Sequence, residues 1–378
     1  MRKLASNHKL DFIKNELDQI KKNNLYRKIR FGKISGSKIN IAGKNLINLS
    51  SNDYLGINPT NLKIKQIQSS SRLISGNDTS YEKFEKKLAK HKSHEKSLIF
   101  PTGYMANLGI ISALVKKEDL ILSDELNHAS IIESCRLTGA KIEIFNHNDI
   151  KDLTKKIKQK HKRKFLITEG VFSMDGDYSN LQEITEISEK NNIITILDDA
   201  HGDFVIGKDG KGTPEKFHVS KKIDVYVSSL SKGLGSFGGY VASNNQIIDY
   251  CTNKSKSFIY TSALPAVLVE DAEKRFDSDR KIQQKKLQNN TKIIIDGLKN
   301  MGFQIESSTH IIPIIIGDEK KALDMGEFLF KNGVFVQPIR YPTVRKHQAR
   351  LRISVSAWLN ENDLEQALQV FKKAKKQF

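Results

Sequence analysis

Apolar positions along the chain follow two alternating rhythms. Leu10, Ile13, Leu17 and Ile20 recur at spacings of three and four, which predicts an amphipathic helix within the first 25 residues. Between Phe31 and Leu49 the pattern shortens to alternating segments with Gly32, Gly36 and Gly43, as in a small β-meander. From Tyr81 the helical spacing returns, and a unit then repeats: a short apolar run, a polar glycine-bearing turn, a helix. The runs are Ser97–Phe100, Leu120–Ser123, Lys141–Phe145, Phe165–Thr168, Ile193–Leu197 and Asp224–Val227. Short β-rich runs alternating with helices predict βαβ units and a mostly parallel sheet, an α/β fold. After Pro265 comes one long charged helix, Ala266 to about Lys299, followed by shorter strands and helices of a smaller α+β unit. The expected organisation is an N-terminal helix and arm over 1–44, a large domain over 45–265 and a small domain over 266–378.

Composition narrows the class without changing this picture. The 378 residues are 38% hydrophobic and 28% charged, a globular balance that excludes a disordered or collagenous chain. No apolar run reaches the roughly 20 residues that span a bilayer, and Met1–His8 has no signal-peptide core. The two cysteines, Cys135 and Cys251, are far apart and form no C-x-x-C pair, so reduced thiols in a cytoplasmic protein are expected and structural zinc is not. Lysine and arginine number 62 against 43 acids, a net charge of +19 that suits anionic ligands. The basic stretches Lys155–Lys164 and Lys372–Lys376 lack interleaved aromatics, so solvated faces are expected rather than a nucleic-acid surface.

Crossovers bring the carboxyl ends of parallel strands to one edge, where ligands bind. The residues that follow the runs are therefore the candidates. Lys232 lies in Ser228-Ser-Leu-Ser-Lys-Gly-Leu-Gly235, where small neighbours leave room for a flat ring and a lysine of lowered pKa forms a Schiff base. Asp198 ends five apolar residues, and a carboxylate there needs a cationic or hydrogen-bonding partner such as a protonated pyridine nitrogen. His201 stands three residues on, within reach of a ring hydroxyl. A metal site from Asp198, Asp199, His201 and Asp203 is the competing reading, but no second ligand cluster accompanies it. Gly103 and Tyr104 open a helix whose exposed N–H groups suit a phosphate, Ser229 offers a hydroxyl to the same group, and His128 offers a ring to stack. Together these describe a pyridoxal phosphate (PLP) site. A serine acyl-enzyme built on Ser229-x-x-Lys232 lacks the accompanying S-D-N and K-T-G motifs.

The same motifs resemble those of the α-oxoamine synthases, PLP enzymes of the aspartate-aminotransferase fold, from about Leu25 to about Phe371. The motifs are Ser51-Asn-Asp-Tyr-Leu-Gly, Ser71-Arg-Leu-Ile-Ser-Gly-Asn, Pro101-Thr-Gly-Tyr-Met-Ala-Asn, Asn127-His-Ala-Ser, Thr168-Glu-Gly-Val-Phe-Ser-Met-Asp-Gly-Asp, Leu197-Asp-Asp-Ala-His-Gly and Ser229-Leu-Ser-Lys-Gly-Leu-Gly. The resemblance implies that Lys232 carries the cofactor, Asp198 meets the pyridinium, His201 and Ser173 flank the ring hydroxyl, and His128 stacks on the ring. It implies that Gly103, Tyr104 and Ser229 hold the phosphate, with Thr261 or Ser262 reaching the phosphate of a second copy in a homodimer. Asn52 and Arg352 resemble the groups that hold the amino-acid carboxylate, and Arg27 and Thr343 resemble acyl-substrate contacts. Phe258–Pro265 and Val336–Val344 are similar to the branch that joins L-alanine to pimeloyl-CoA, or to the carrier-protein thioester, rather than to the glycine C-acetyltransferase branch. Departures from the family pattern are Ser69–Ser71, Tyr81, Arg345-Lys-His347 and Trp358-Leu359; the last two lie toward the acyl entrance and none removes a cofactor contact.

Overall fold

The computed structural model describes residues 8–62 and 70–378; Met1–Asn7, with the signal-peptide reading, and Ser69 lie outside the described residues. The expected N-terminal helix forms over Asp11–Lys22 and leads to three antiparallel strands, β1 (Gly32–Ser35), β2 (Lys38–Ile41) and β3 (Lys44–Asn48). The seven strands of the main sheet follow: β4 (Lys96–Phe100), β5 (Leu120–Asp124), β6 (Lys141–Phe145), β7 (Lys164–Glu169), β8 (Ile193–Asp198), β9 (Val225–Ser229) and β10 (Gly239–Ser243). Their spatial order is β4-β10-β9-β8-β7-β5-β6, and β10 alone runs against its neighbours. The inner strands β5, β7, β8 and β9 are buried almost throughout because both faces are covered, whereas the edge strand β6 leaves Ile144 exposed. Leu197, Tyr226 and Tyr240 pack toward one core, whereas Ile196, Val225, Val227 and Val241 pack toward another with Ile110, Ile111 and Ile131.

The long helix expected after Pro265 is two helices, Ala266–Asp277 and Arg280–Asn300. Ser278 is extended (φ −70°, ψ 163°), and the Asp279 carboxylate accepts from the Lys281 N–H, so the break carries its own N-cap. Beyond it, β11 (Ile311–Gly317) pairs antiparallel with β14 (Ala349–Ser354), which also pairs with β13 (Pro338–Ile339). The two-residue β12 (Val334–Phe335) joins β3 in parallel and so becomes the fourth strand of the arm sheet, while β11, β14 and β13 form a separate sheet. The Ser354 N–H donates to the Leu49 carbonyl at 2.8 Å, tying the end of β14 to the segment past β3 and bringing Arg352 to Asn52.

Candidate active site

Five of the six parallel strands are followed on the carboxyl edge of the main sheet, within a few residues, by a candidate residue. Gly103 follows β4, His128 follows β5, Ser173 follows β7, His201 follows β8 and Lys232 follows β9. Asn52, His128, Ser173, His201, Lys232 and Arg352 line one cavity of about 310 Å³, together with Gln337 and Ile339. Size alone does not mark the site: a groove of about 730 Å³ between the helices Arg280–Asn300 and Glu361–Gln377 contains none of these residues.

Within the cavity the Lys232 Nζ lies 2.8 Å from His201 Nε2. Burial, reinforced by the Arg352 guanidinium, lowers the Lys232 amine below its ordinary range despite the carboxylates of Asp198 and Glu169. Burial, with Lys232 and Arg352 beside it, pushes His201 well below the usual imidazole range and keeps it neutral. Asp198 ends β8 and accepts from Asn107 Nδ2 at 2.6 Å and from the Ala200 N–H at 3.0 Å. Asn107 also donates to Ser130 Oγ at 3.0 Å, and Ser130 Oγ is 2.7 Å from His128 Nδ1. The imidazole and the carboxylate are thus tied through one amide and one hydroxyl.

Gly103 starts its helix, with Thr102 capping the Met105 N–H. A Cβ at Gly103 would come 3.3 Å from Ser229 Cβ, and one at Gly239 would come 2.4 Å from Gly103 N. The missing side chains leave a backbone cradle beside the Ser229 hydroxyl, the arrangement a phosphate needs. Tyr104 is less committed: it is 41% exposed, its hydroxyl bonds Glu133, and its ring meets His128 edge-on at 6.5 Å. Arg352 donates to the Ser173 carbonyl at 2.5 Å and to Asn52 Oδ1 at 3.2 Å. Arg27 and Thr343, 316 positions apart in sequence, meet at 3.1 Å, and both are exposed. A hollow of about 510 Å³ lined by Tyr26, Lys28, Arg30 and Arg340 shares Gln337 with the cavity.

Asp199 and Asp203 turn away from the cavity. Asp203 pairs with the buried Lys92 amine and accepts from Tyr240 at 2.6 Å; Asp199 accepts from Tyr226 and from the Thr213 hydroxyl, each at 2.9 Å. Burial raises the Asp199 carboxyl to about 7. Among the described residues no group of three His, Cys, Asp or Glu side chains is placed to hold a metal ion. Residue-by-residue sequence reading assigned no role to Asn107, Tyr54, Ser130 or Glu169. All four stand inside quoted motifs, but their partners lie 91, 147 and 23 residues away (Asn107, Tyr54, Ser130) or on the neighbouring strand (Glu169, opposite Asp198).

A strand-end edge with a lysine, a donor-supported carboxylate and a glycine cradle defines a PLP-type α/β site, and the chain belongs to the aminotransferase class I and II family, whose model matches residues 44–371. More particularly, it is 42% identical over 99% of both chains to the 8-amino-7-oxononanoate synthase of Thermoanaerobacter pseudethanolicus. Among solved structures it resembles a serine palmitoyltransferase of S. paucimobilis with a PLP–myriocin aldimine bound (27% identity, TM-score 0.89, 99% of each chain). It also resembles the 8-amino-7-oxononanoate synthase of Francisella tularensis (28% identity, TM-score 0.75, 88% of this chain and 98% of that one). No helix among the described residues is long and apolar enough to cross a membrane.

Proposed function

We propose that the chain is a PLP-dependent acyltransferase that joins L-alanine to pimeloyl-CoA, or to the carrier-protein thioester. It releases the thiol and CO₂ and yields 8-amino-7-oxononanoate for biotin. The observation that carries this reading is the meeting of Lys232, His201, His128, Ser173, Asn52 and Arg352 around one cavity, with the donor-supported carboxylate of Asp198 on the same strand edge. The site fits the cofactor: the cradle at Gly103 and Ser229 takes a phosphate, and Asp198 takes a protonated ring nitrogen. When bound, PLP supplies an electron sink for the bond broken at the amino-acid Cα.

The chain's own residues do the rest. Lys232 would hold the cofactor, and its amine, lowered by burial, is the group placed to take the Cα proton at Nζ. Arg352 and Asn52 orient the amino-acid carboxylate, and Arg352 also holds the loop of Ser173 by its carbonyl. His128 would cover one face of the bound ring, Ser173 and His201 would flank its hydroxyl, and Tyr104, whose ring meets His128 edge-on, would close the phosphate end. Arg27 and Thr343 guide the acyl chain, with the basic hollow beside them suited to an anionic thioester carrier. A homodimer in the cytoplasm, with Thr261 or Ser262 reaching the phosphate bound in the second copy, completes the reading.

The test is a turnover screen of alanine, glycine and serine against acetyl-CoA and pimeloyl-CoA. Alanine with pimeloyl-CoA is expected to give the highest kcat/KM. If glycine with acetyl-CoA wins, the enzyme is a glycine C-acetyltransferase instead.

A further inference from the structure

Tyr54 belongs to no role assigned above, yet it is fully buried and bonds two residues that line the cavity. Its hydroxyl lies 2.7 Å from His201 Nδ1 and 3.0 Å from Asn52 Oδ1. Its ring is held edge-on by His310, with ring centroids 4.0 Å apart. One hydroxyl has one proton, so it donates to only one of these two neighbours.

Arg352 decides which. A guanidinium only donates, and its NH1 meets the same Asn52 atom at 3.2 Å, so that atom is the amide oxygen. An oxygen at 3.0 Å from the Tyr54 hydroxyl takes its proton. The phenolic oxygen is then left to accept from His201, whose Nδ1 must carry hydrogen. His201 is buried at 5% exposure beside the cations Lys232 and Arg352, and is therefore neutral, so its single ring proton is spent on Nδ1. Nε2 is a bare lone pair 2.8 Å from Lys232 Nζ, which donates to it. The hydrogen bonds run one way, from Lys232 through His201 and Tyr54 to Asn52.

We propose that Tyr54 is a positioning residue that sets the tautomer of His201, keeping Nδ1 protonated and turning an unprotonated Nε2 toward Lys232 and the ring of the bound cofactor. The use of this tautomer in catalysis rests on the PLP reading; the tautomer itself does not. Nε2 then accepts hydrogen from whatever faces it, the Lys232 amine or a ring hydroxyl, and cannot donate. Tyr54 also links the group that faces the cofactor to the groups that face the amino-acid carboxylate, because Asn52 ends the same run.

Nitrogen NMR of histidine-labelled protein stripped of cofactor tests this, with the His201 signals assigned by their loss in His201→Gln. The wild type is expected to show His201 as the Nδ1–H form, and Tyr54→Phe, which keeps the ring, to shift a substantial fraction to Nε2–H. A wild-type His201 protonated on Nε2 overturns the proposal, as does a Tyr54→Phe protein whose His201 signals are unmoved. This arm needs no cofactor, so it stands or fails apart from the PLP reading. In the loaded enzyme Tyr54→Phe is expected to lower kcat about fivefold, the rate equivalent of one net hydrogen bond, measured well below the melting temperature of either protein. An unchanged kcat would overturn the catalytic use of the tautomer.

Discussion

The proposed cofactor end of the site and its proposed acyl end differ in how their side chains are held. At the cofactor end Asp198, His201, Ser173 and Arg352 are each under 10% exposed and bonded to residues of other elements. At the proposed acyl end Arg27 and Thr343 are exposed and joined to each other by a single hydrogen bond. Buried, fully partnered groups are preorganised and cost nothing to align at the moment of reaction. Exposed pairs are worth little in stability and adapt readily. The difference teaches where chemistry and specificity are stored: the first end is common to many substrates, and the second is free to change with the acyl chain. Solved structures named 8-amino-7-oxononanoate synthase and serine palmitoyltransferase share this fold at TM-scores of 0.75 and 0.89.

The comparison can be broken most severely at Lys232. Lys232→Ala is expected to purify without yellow colour and to lose at least about 10²–10⁴-fold in turnover, measured by thiol release. Full turnover would remove the cofactor end from the account. Next in size is the buried support behind it. Lys92→Met strands the Asp203 carboxylate without its cation, and a loss of about 3–5 kcal/mol is expected in urea unfolding. A loss under about 1 kcal/mol would mean the loop after Asp198 is held by other contacts.

A smaller effect is pH-dependent. His147 bonds Asp124 at 2.9 Å and Asp177 at 2.7 Å, tying the end of β5 to the loop that carries Ser173. Burial opposes its charge, but the two carboxylates win and raise its pKa to about 10. A pKa raised on folding stabilises fully below the unfolded value near 6.5, and the benefit is lost as pH rises through 10. His147→Gln should therefore lower the melting temperature at pH 6 and converge with wild type above pH 10. Equal losses at both pH values would contradict the assignment. Smallest is the acyl end: Arg27→Ala should raise KM for the thioester a few-fold and shift stability by no more than about 0.5 kcal/mol. A kcat loss as large as that of Lys232→Ala would erase the distinction between the two ends.

Much of this was legible along the chain, and for a physical reason. Buried parallel strands must be apolar on both faces, so each showed as a short run, and a crossover fold must place the turn after each run on one edge. Lys232, His201 and His128 could therefore be picked out by position, whereas Ser173 was named only through the family resemblance. What was hidden depends on long-range pairing. Nothing local to Asn107 shows that it meets Asp198, nor anything near Lys92 that Asp203 and Tyr226 await it. The break at Ser278 was masked because charged residues continue through it with helical spacing. The ladder between β3 and β12 was invisible because a two-residue strand has no period.

The central claim is a covalent one, and the most direct measurement is borohydride reduction of the purified protein followed by mass mapping of its peptides. The account predicts bleaching of the yellow chromophore and a pyridoxyl adduct on the peptide containing Lys232. An unmodified Lys232, or an adduct confined to another lysine, would contradict it.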